Sequence, residues 1–305
     1  MSTADWRSLY PFQSHELRLD DLRYHYLDEG QGEPLLLVHG NPTWSFYWRN
    51  LVLRWRERFR VVVPDHIGCG LSDKPAEYPY VLVQHSSNLQ RLIETLDLWQ
   101  ITLVVHDWGG PIGLRTALAM PERMARLVIL NTGAFAPPYF PWRIRICRTP
   151  LLGPLAVRGA NAFARGALWM ASAKPERLTP VVRAGLLAPY DSWAHRVAIQ
   201  RFVEDIPAGP SHPNWQVLAE LEKGLSQLAD RPVQLLWGMQ DWCFRPECLR
   251  RFQQIFPGAA VHELADASHY VVEDAHERIG PLVESWIERH PIDSSRGTRP
   301  EPARS

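Results

Sequence analysis

The chain has 305 residues, with 33 basic and 33 acidic side chains, 46% hydrophobic and 22% charged residues. That length allows one large domain, or one domain carrying an insertion, and the composition excludes a disordered, collagen-like or coiled-coil protein. A net charge of zero leaves no global electrostatic footprint for nucleic acid or for an anionic membrane. Lys74, Lys174 and Lys223 are the lysines, so arginine carries most of the positive charge, and the 13 tryptophans suit both core packing and an aromatic-lined apolar pocket. Cys69, Cys147, Cys243 and Cys248 match no zinc or CxxC spacing and suggest no disulfide framework, so a reducing compartment is expected. Met1 to Tyr10 lacks a basic stretch followed by an apolar one and does not read as a signal peptide. No apolar run approaches the ~18–20 residues of a membrane span. The expected location is cytoplasmic.

Taken in chain order, the first predicted strands are 16–19 and 22–26, an antiparallel start. Leu35-Leu36-Leu37-Val38 follows, ending at His39-Gly40, and Arg60-Val61-Val62-Val63 ends at Pro64-Asp65. Further runs occupy 101–105, 127–130, 233–237 and 261–264. These are short β-rich runs without polar alternation, as expected of strands covered on both faces in a parallel sheet. Helical patterns fill the gaps, for example at 86–98 and 111–120. The expected fold class is therefore α/β. The alternation stops between about Ala134 and Ala229, a segment with prolines and helical patches but no convincing core strand. It reads as an inserted helical cap over 134–229, between core parts at 1–133 and 230–291. The Ser/Arg/Pro-rich stretch from 292 to 305 reads as a disordered tail.

The strongest chemical signal is Val105-His106-Asp107-Trp108-Gly109-Gly110. A buried strand runs into a tight turn and then a helix, the arrangement of a nucleophile elbow with aspartate in the place of serine. Such a turn lifts the side chain above the sheet, where the next backbone N–H and the helix start favour negative charge. An Asp before a helix also serves as a simple N-cap, and two further features point to chemistry. His39-Gly40-Asn41-Pro42 ends the earlier core strand. Asn41 and Trp108 would supply an amide and an indole N–H to a leaving anion. Asp241 and His269 follow the last two core strands, so nucleophile, acid and histidine come in the order of an α/β-hydrolase triad. His269 would act as general base, oriented by Asp241. Asp266, three residues before His269, is an alternative acid but suits a turn better.

These motifs resemble the α/β-hydrolase fold superfamily, in the haloalkane dehalogenase and epoxide hydrolase branch that uses an aspartate nucleophile. The resemblance runs from about Leu17 to Ile287. It implies a mostly parallel eight-stranded sheet flanked by helices, with an inserted helical cap. Ser45-Phe46-Tyr47-Trp48-Arg49, 64–72 (Pro-Asp-His-Ile-Gly-Cys-Gly-Leu-Ser), Pro189-Tyr190-Asp191-Ser192-Trp193 and Asp241-Trp242-Cys243-Phe244 look more specifically like the OleB-type β-lactone decarboxylases of bacterial olefin biosynthesis. That likeness implies conversion of long-chain dialkyl cis-β-lactones to cis-alkenes and CO2. It also implies a hydrophobic small-molecule substrate and a complex with the β-lactone synthetase and reductase of the same pathway.

Three enzymatic readings share these residues, and they imply no metal and no cofactor. A dehalogenase would form an alkyl ester on Asp107, eject halide toward Asn41 and Trp108, and hydrolyse the ester with water activated by His269. A β-lactone decarboxylase would attack either the ring carbon bearing oxygen, followed by fragmentation, or the carbonyl carbon, leaving His269 an intermediate to hydrolyse. Epoxide hydrolysis would need cap tyrosines as proton donors, for which Tyr139 and Tyr190 are available. A catalytically silent binding protein is the alternative from another class. Intact Asp107, Asp241 and His269 argue against it. Trp142, Tyr190 and Trp193 are expected to line the substrate pocket, together with Phe163, Leu168, Trp169 and Phe202.

Overall fold

A computed structural model describes residues 5–137 and 139–292, so the stretch from 293 onward, expected as a tail, lies outside the described residues. The sheet has eight strands: β1 (Ser14–Leu19), β2 (Leu22–Glu29), β3 (Pro34–Val38), β4 (Arg60–Pro64), β5 (Ile101–Asp107), β6 (Met124–Thr132), β7 (Val233–Gly238) and β8 (Ala260–Leu264). Their order is β1-β2-β4-β3-β5-β6-β7-β8. β1 and β2 pair antiparallel, as do β2 and β4, and every later pairing is parallel.

The apolar runs work because successive side chains leave opposite faces of the sheet. Leu36, Val38, Leu103, Val105, Leu127 and Ile129 join one core layer. Leu35, Leu37, Val104, Val128, Leu130 and Leu236 join the other, with Trp48, Trp55 and Trp286. Every residue of β5 is buried, as a central strand with cover on both sides requires. Helices α1 (Arg49–Trp55), α2 (Leu82–Thr95) and α3 (Gly109–Ala119) provide part of that cover. α2 and α3 pack together, with Ser86 and Thr116 hydroxyls 2.9 Å apart at the contact. α1 packs on the long helix Val271–Arg289 through a buried two-pronged Arg49–Glu273 pair at 2.6 and 2.9 Å. Removing one partner would strand a buried charge, a loss of about 3–5 kcal/mol.

Among the described residues no strand lies between β6 and β7. Helices Trp142–Cys147, Ala162–Met170, Pro180–Leu187 and Val197–Asp205 fill the first part of that excursion. Pro180–Leu187 is seated on the core at Gly185. Its missing side chain leaves room for the Phe46 ring, and its carbonyl accepts from the Trp44 indole at 3.0 Å. The final part corrects the expected extent of the cap. Helix Pro213–Gly224 and the turn Leu225–Leu228 pack against α3. Leu218, Leu221, Leu225 and Leu228 enter the core layer of α3, so this stretch flanks the sheet, with Leu218 reaching the cavity at its edge.

Candidate active site

Parallel strands bring their C-terminal ends to one edge, where ligands collect in open α/β sheets. Here that edge gathers Asn41 after β3, Asp107 at the end of β5, Asn131 in β6, Asp241 after β7 and His269 after β8. Asp107 has a φ of +51°, a left-handed conformation that a residue with a side chain adopts at a cost of about 1–3 kcal/mol. The surroundings enforce it. Thr132 donates its hydroxyl to the Asp107 carbonyl at 2.5 Å. A side chain at Gly109 would strike the Val38 carbonyl, and one at Gly40 would overlap the Asp107 carboxylate. The glycines of the two motifs thus let β3 and the elbow approach closely enough to aim Asp107 into the crevice.

The Asp107 carboxylate has two distinct oxygens. Oδ1 accepts the Asn41 backbone N–H at 2.6 Å, and the Trp108 backbone N–H also donates to the carboxylate. Oδ2 lies 3.6 Å from His269 Nε2. Burial raises the Asp107 pKa, and the facing His269 and the two backbone donors offset only part of that rise.

His269 Nδ1 lies 3.0 Å from Asp241 Oδ2, which orients the ring and turns Nε2 toward Asp107. Phe244 stacks on the ring at 5.7 Å, and the His269 carbonyl lies 2.8 Å from His106 Nε2. Asp241 is itself fixed. Its Oδ2 accepts from the Asn131 amide at 3.0 Å and its Oδ1 from the Cys243 N–H at 2.6 Å. Burial would raise the Asp241 pKa, but the His269 charge and hydrogen bond, with the Cys243 and Phe244 N–H groups, bring it below the ordinary value. Burial would likewise lower the His269 pKa, and Asp241 and Asp107 overcome this, so it is raised. The crevice therefore pairs a carboxylate with one free oxygen and a histidine biased toward its cationic form.

A cavity of about 260 Å³ sits over Asp107, walled by Trp108, Phe135, Ile144, Phe163, Leu218 and Phe244 among others. The Trp108 indole N–H has no hydrogen-bond partner among the described residues. The Asn41 amide donates one N–H to the Ile199 carbonyl at 3.2 Å while the residue lines the cavity, and its backbone N–H also serves the site, on Asp107 Oδ1.

The pocket residues expected in the cap require correction. Trp142 is 64% exposed and Trp193 45% exposed, and neither lines the cavity. Trp193 instead stacks with Arg158, whose guanidinium lies 4.7 Å from the ring centre. Tyr190 is buried between cap and core, donating its hydroxyl to the Thr43 carbonyl at 3.3 Å. Trp169 faces outward, while Leu168 and Phe202 pack in the two core layers. Of the expected cap residues, Phe163 lines the cavity. Tyr139 lines it too, but its hydroxyl donates to the Trp242 and Cys243 carbonyls. Neither tyrosine needed for epoxide opening has a free hydroxyl. Asp266 is engaged by Lys174 and Arg278 at the surface, away from His269 Nδ1. The residues not anticipated are Asn131 and Phe244. Asn131 stands where an acid could follow β6, and an amide there was the available signal for support of Asp241. Nothing in the sequence marked the Phe244 ring as the one stacked on His269.

Among the described residues no cluster of His, Cys, Asp and Glu suits a metal ion, and no helix is long and apolar enough to cross a membrane. The family model described as alpha/beta hydrolase fold matches residues 33–146 and 190–275. A cis-3-alkyl-4-alkyloxetan-2-one decarboxylase of Shewanella oneidensis is 45% identical over 89% of this chain and 87% of that protein. One of the same name from Xanthomonas campestris pv. campestris is 42% identical over 88% and 93%. Among solved structures, haloalkane dehalogenase DbeA from Bradyrhizobium elkani superposes with a TM-score of 0.83 at 25% identity, covering 91% of this chain and 98% of that one.

Proposed function

The chain belongs to the alpha/beta hydrolase fold family, and on that premise we propose that it is a β-lactone decarboxylase. It would convert dialkyl cis-β-lactones to cis-alkenes and CO2, with Asp107 as nucleophile. The observation that carries this reading is the Asp107 carboxylate beneath an apolar cavity, one oxygen held by Asn41 N–H and the other free beside His269. The names of the two relatives at 45% and 42% identity supply the substrate class.

In this reading Asp107 Oδ2 attacks the ring carbon bearing oxygen, that C–O bond breaks, and the freed carboxylate is met by the Trp108 indole N–H. The bond to the carboxylate carbon then breaks. Its electron pair becomes the C=C bond, the ester C–O bond to Asp107 opens, and CO2 and the Asp107 carboxylate depart. Inversion followed by anti fragmentation is net syn, so a cis ring yields a cis alkene. His269, cationic and 3.6 Å from Oδ2, stabilises the departing carboxylate. Asp241 holds it there, with Asn131 as a positioning residue.

Hydrolysis is the second reading, and one feature favours it. Asn41 and Trp108 backbone N–H groups lie where a tetrahedral oxyanion on Asp107 would form if water, activated by neutral His269, attacked an Asp107 ester. That is the haloalkane dehalogenase route. Against it stand the names of the two relatives at 45% and 42% identity, both decarboxylases. Purified protein incubated with a dialkyl cis-β-lactone in 18O-water separates the two. Fragmentation leaves Asp107 unlabelled over many turnovers, whereas ester hydrolysis labels it.

The same reading includes a cytoplasmic enzyme in complex with the lactone synthetase and reductase, because two alkyl chains make the lactone poorly soluble and favour direct handover. Co-purification from the native cell without either enzyme would count against that complex.

A further inference from the structure

The balanced net charge conceals a local imbalance. From Arg123 to Pro175 the chain contains no aspartate or glutamate, and Arg143, Arg145, Arg148, Arg158 and Arg165 fall within that run. The same stretch carries the most exposed large apolar side chains: Trp142, Ile146, Leu151, Leu152, Leu155 and Trp169, with Leu151 81% and Trp169 75% exposed.

These residues form one surface. Trp142 and Ile146 are one turn apart on helix Trp142–Cys147, which packs against the Leu152–Pro154 turn, and that turn continues into Leu155–Gly159. Leu155–Gly159 in turn packs on helix Ala162–Met170. The circuit closes at Arg143, whose guanidinium lies 5.0 Å from the Trp142 ring centre and 5.3 Å from that of Trp242. The Trp242 indole donates to the Met170 carbonyl at 2.8 Å, beside Trp169.

We propose that this face docks on an anionic lipid surface. Isolated exposed apolar residues are ordinary, whereas a contiguous apolar patch marks an interaction site. Here the apolar residues are ringed by cations stacked on tryptophans. Arg183 lies 4.8 Å from the Trp169 ring centre and Arg143 5.0 Å from that of Trp142. Tryptophan at the level of the headgroups, leucine below it and arginine reaching lipid phosphates is the pattern of an interfacial protein. Arg148 and Arg158 are held by backbone carbonyls near Glu204, and a protein partner would need to supply acids against Arg143, Arg145 and Arg165, which a bilayer rich in anionic lipid does along its whole plane.

The cavity gives the docking a purpose. Arg143, Ile146 and Met170 both line it and reach the outer surface, so its mouth opens within the patch. An apolar substrate or product could pass between bilayer and cavity without crossing water. That it is a dialkyl lactone or alkene rests on the function proposed above, but the docking itself does not.

The test uses the full chain with unilamellar vesicles of phosphatidylcholine alone or mixed with phosphatidylglycerol, read by co-sedimentation and tryptophan emission. Partitioning should be about tenfold or more stronger on the anionic vesicles and should weaken as salt rises. Leu151→Glu with Leu152→Glu, and separately Arg145→Glu, should each lower it about tenfold while turnover of a short-chain soluble lactone stays at the wild-type rate. None of these residues lines the cavity. Equal binding to both vesicle types, or binding unchanged in both variants, overturns the proposal. So does a patch that, in the absence of vesicle binding, governs association with another copy or another protein. Vesicle binding without alkene formation would keep the docking surface and refute the decarboxylase, and alkene formation without vesicle binding would do the reverse.

Discussion

The catalytic floor and the helical excursion above it are built on opposite principles. On the floor, the charged groups hold one another in place: Asp241 alone meets His269, Asn131 and Cys243. The excursion holds its place by apolar contacts and by arginines capping carbonyls, such as Arg196 on Tyr190 and Arg183 on Leu178. A floor of that kind tolerates almost no displacement, because buried polar groups left unpaired are expensive. The excursion can change its side chains and alter substrate range while the floor stays fixed.

The sharpest way to break this contrast is at Asp107. Asp107→Ala should retain the fold, because Thr132 and the close-packed glycines still hold the turn, and should lower turnover by about 10⁴-fold or more. Steady-state alkene formation with a circular dichroism control checks it. Appreciable activity would remove Asp107 as nucleophile.

Asp241→Asn should come next, at about 10²–10⁴-fold in kcat. It also moves a pH limb whose sign separates the mechanisms. The His269 pKa is raised, chiefly by Asp241. If cationic His269 assists the departing carboxylate, activity is full below that pKa and falls as pH rises through it. If neutral His269 activates water, activity instead rises with pH through it. In Asp241→Asn the limb should shift to lower pH in either case, because the group that raised the pKa is gone. A profile with no limb near the His269 pKa would show that its proton is not used.

The excursion should respond more gently. Phe163→Ala removes a cavity wall and should lower kcat/KM for long-chain lactones about 5–30-fold, following ~1–2 kcal/mol of lost apolar contact. Short-chain lactones should change little, so the ratio between chain lengths is the measurement. Trp193→Ala should do least. Its ring stacks with Arg158 outside the cavity, and both activity and stability should stay within about 0.5–1 kcal/mol of wild type. A large loss at Trp193 would restore it to the pocket.

The same contrast explains what could be read from the sequence. The eight strands were legible because a doubly covered strand needs an unbroken apolar run, and β5 shows this at every position. Asp107 and His269 were legible because the elbow requires its glycines and the triad residues follow strand ends. The outward turn of Trp142, Trp169 and Trp193 was not, since tryptophan content says nothing about which side of a short helix faces the core. The Asn41 contact with the carbonyl of Ile199, 158 positions away in a helix of the excursion, was not legible for a related reason: only the folded chain brings the two together. The flank at Pro213–Leu228 looked like cap because its leucine stripe is the same whether it packs on α3 or on a lid.

Central to all of this is that the Asp107 carboxylate opens a strained lactone and releases an alkene. The most direct measurement incubates the pure protein with a dialkyl cis-β-lactone and, in parallel, with 1-bromo- and 1-iodoalkanes, following alkene by gas chromatography and halide by ion chromatography. Cis-alkene from the lactone, lost in Asp107→Ala, with little halide from the haloalkanes, is the predicted result. Rapid halide release with no alkene would contradict it and make the chain a haloalkane dehalogenase.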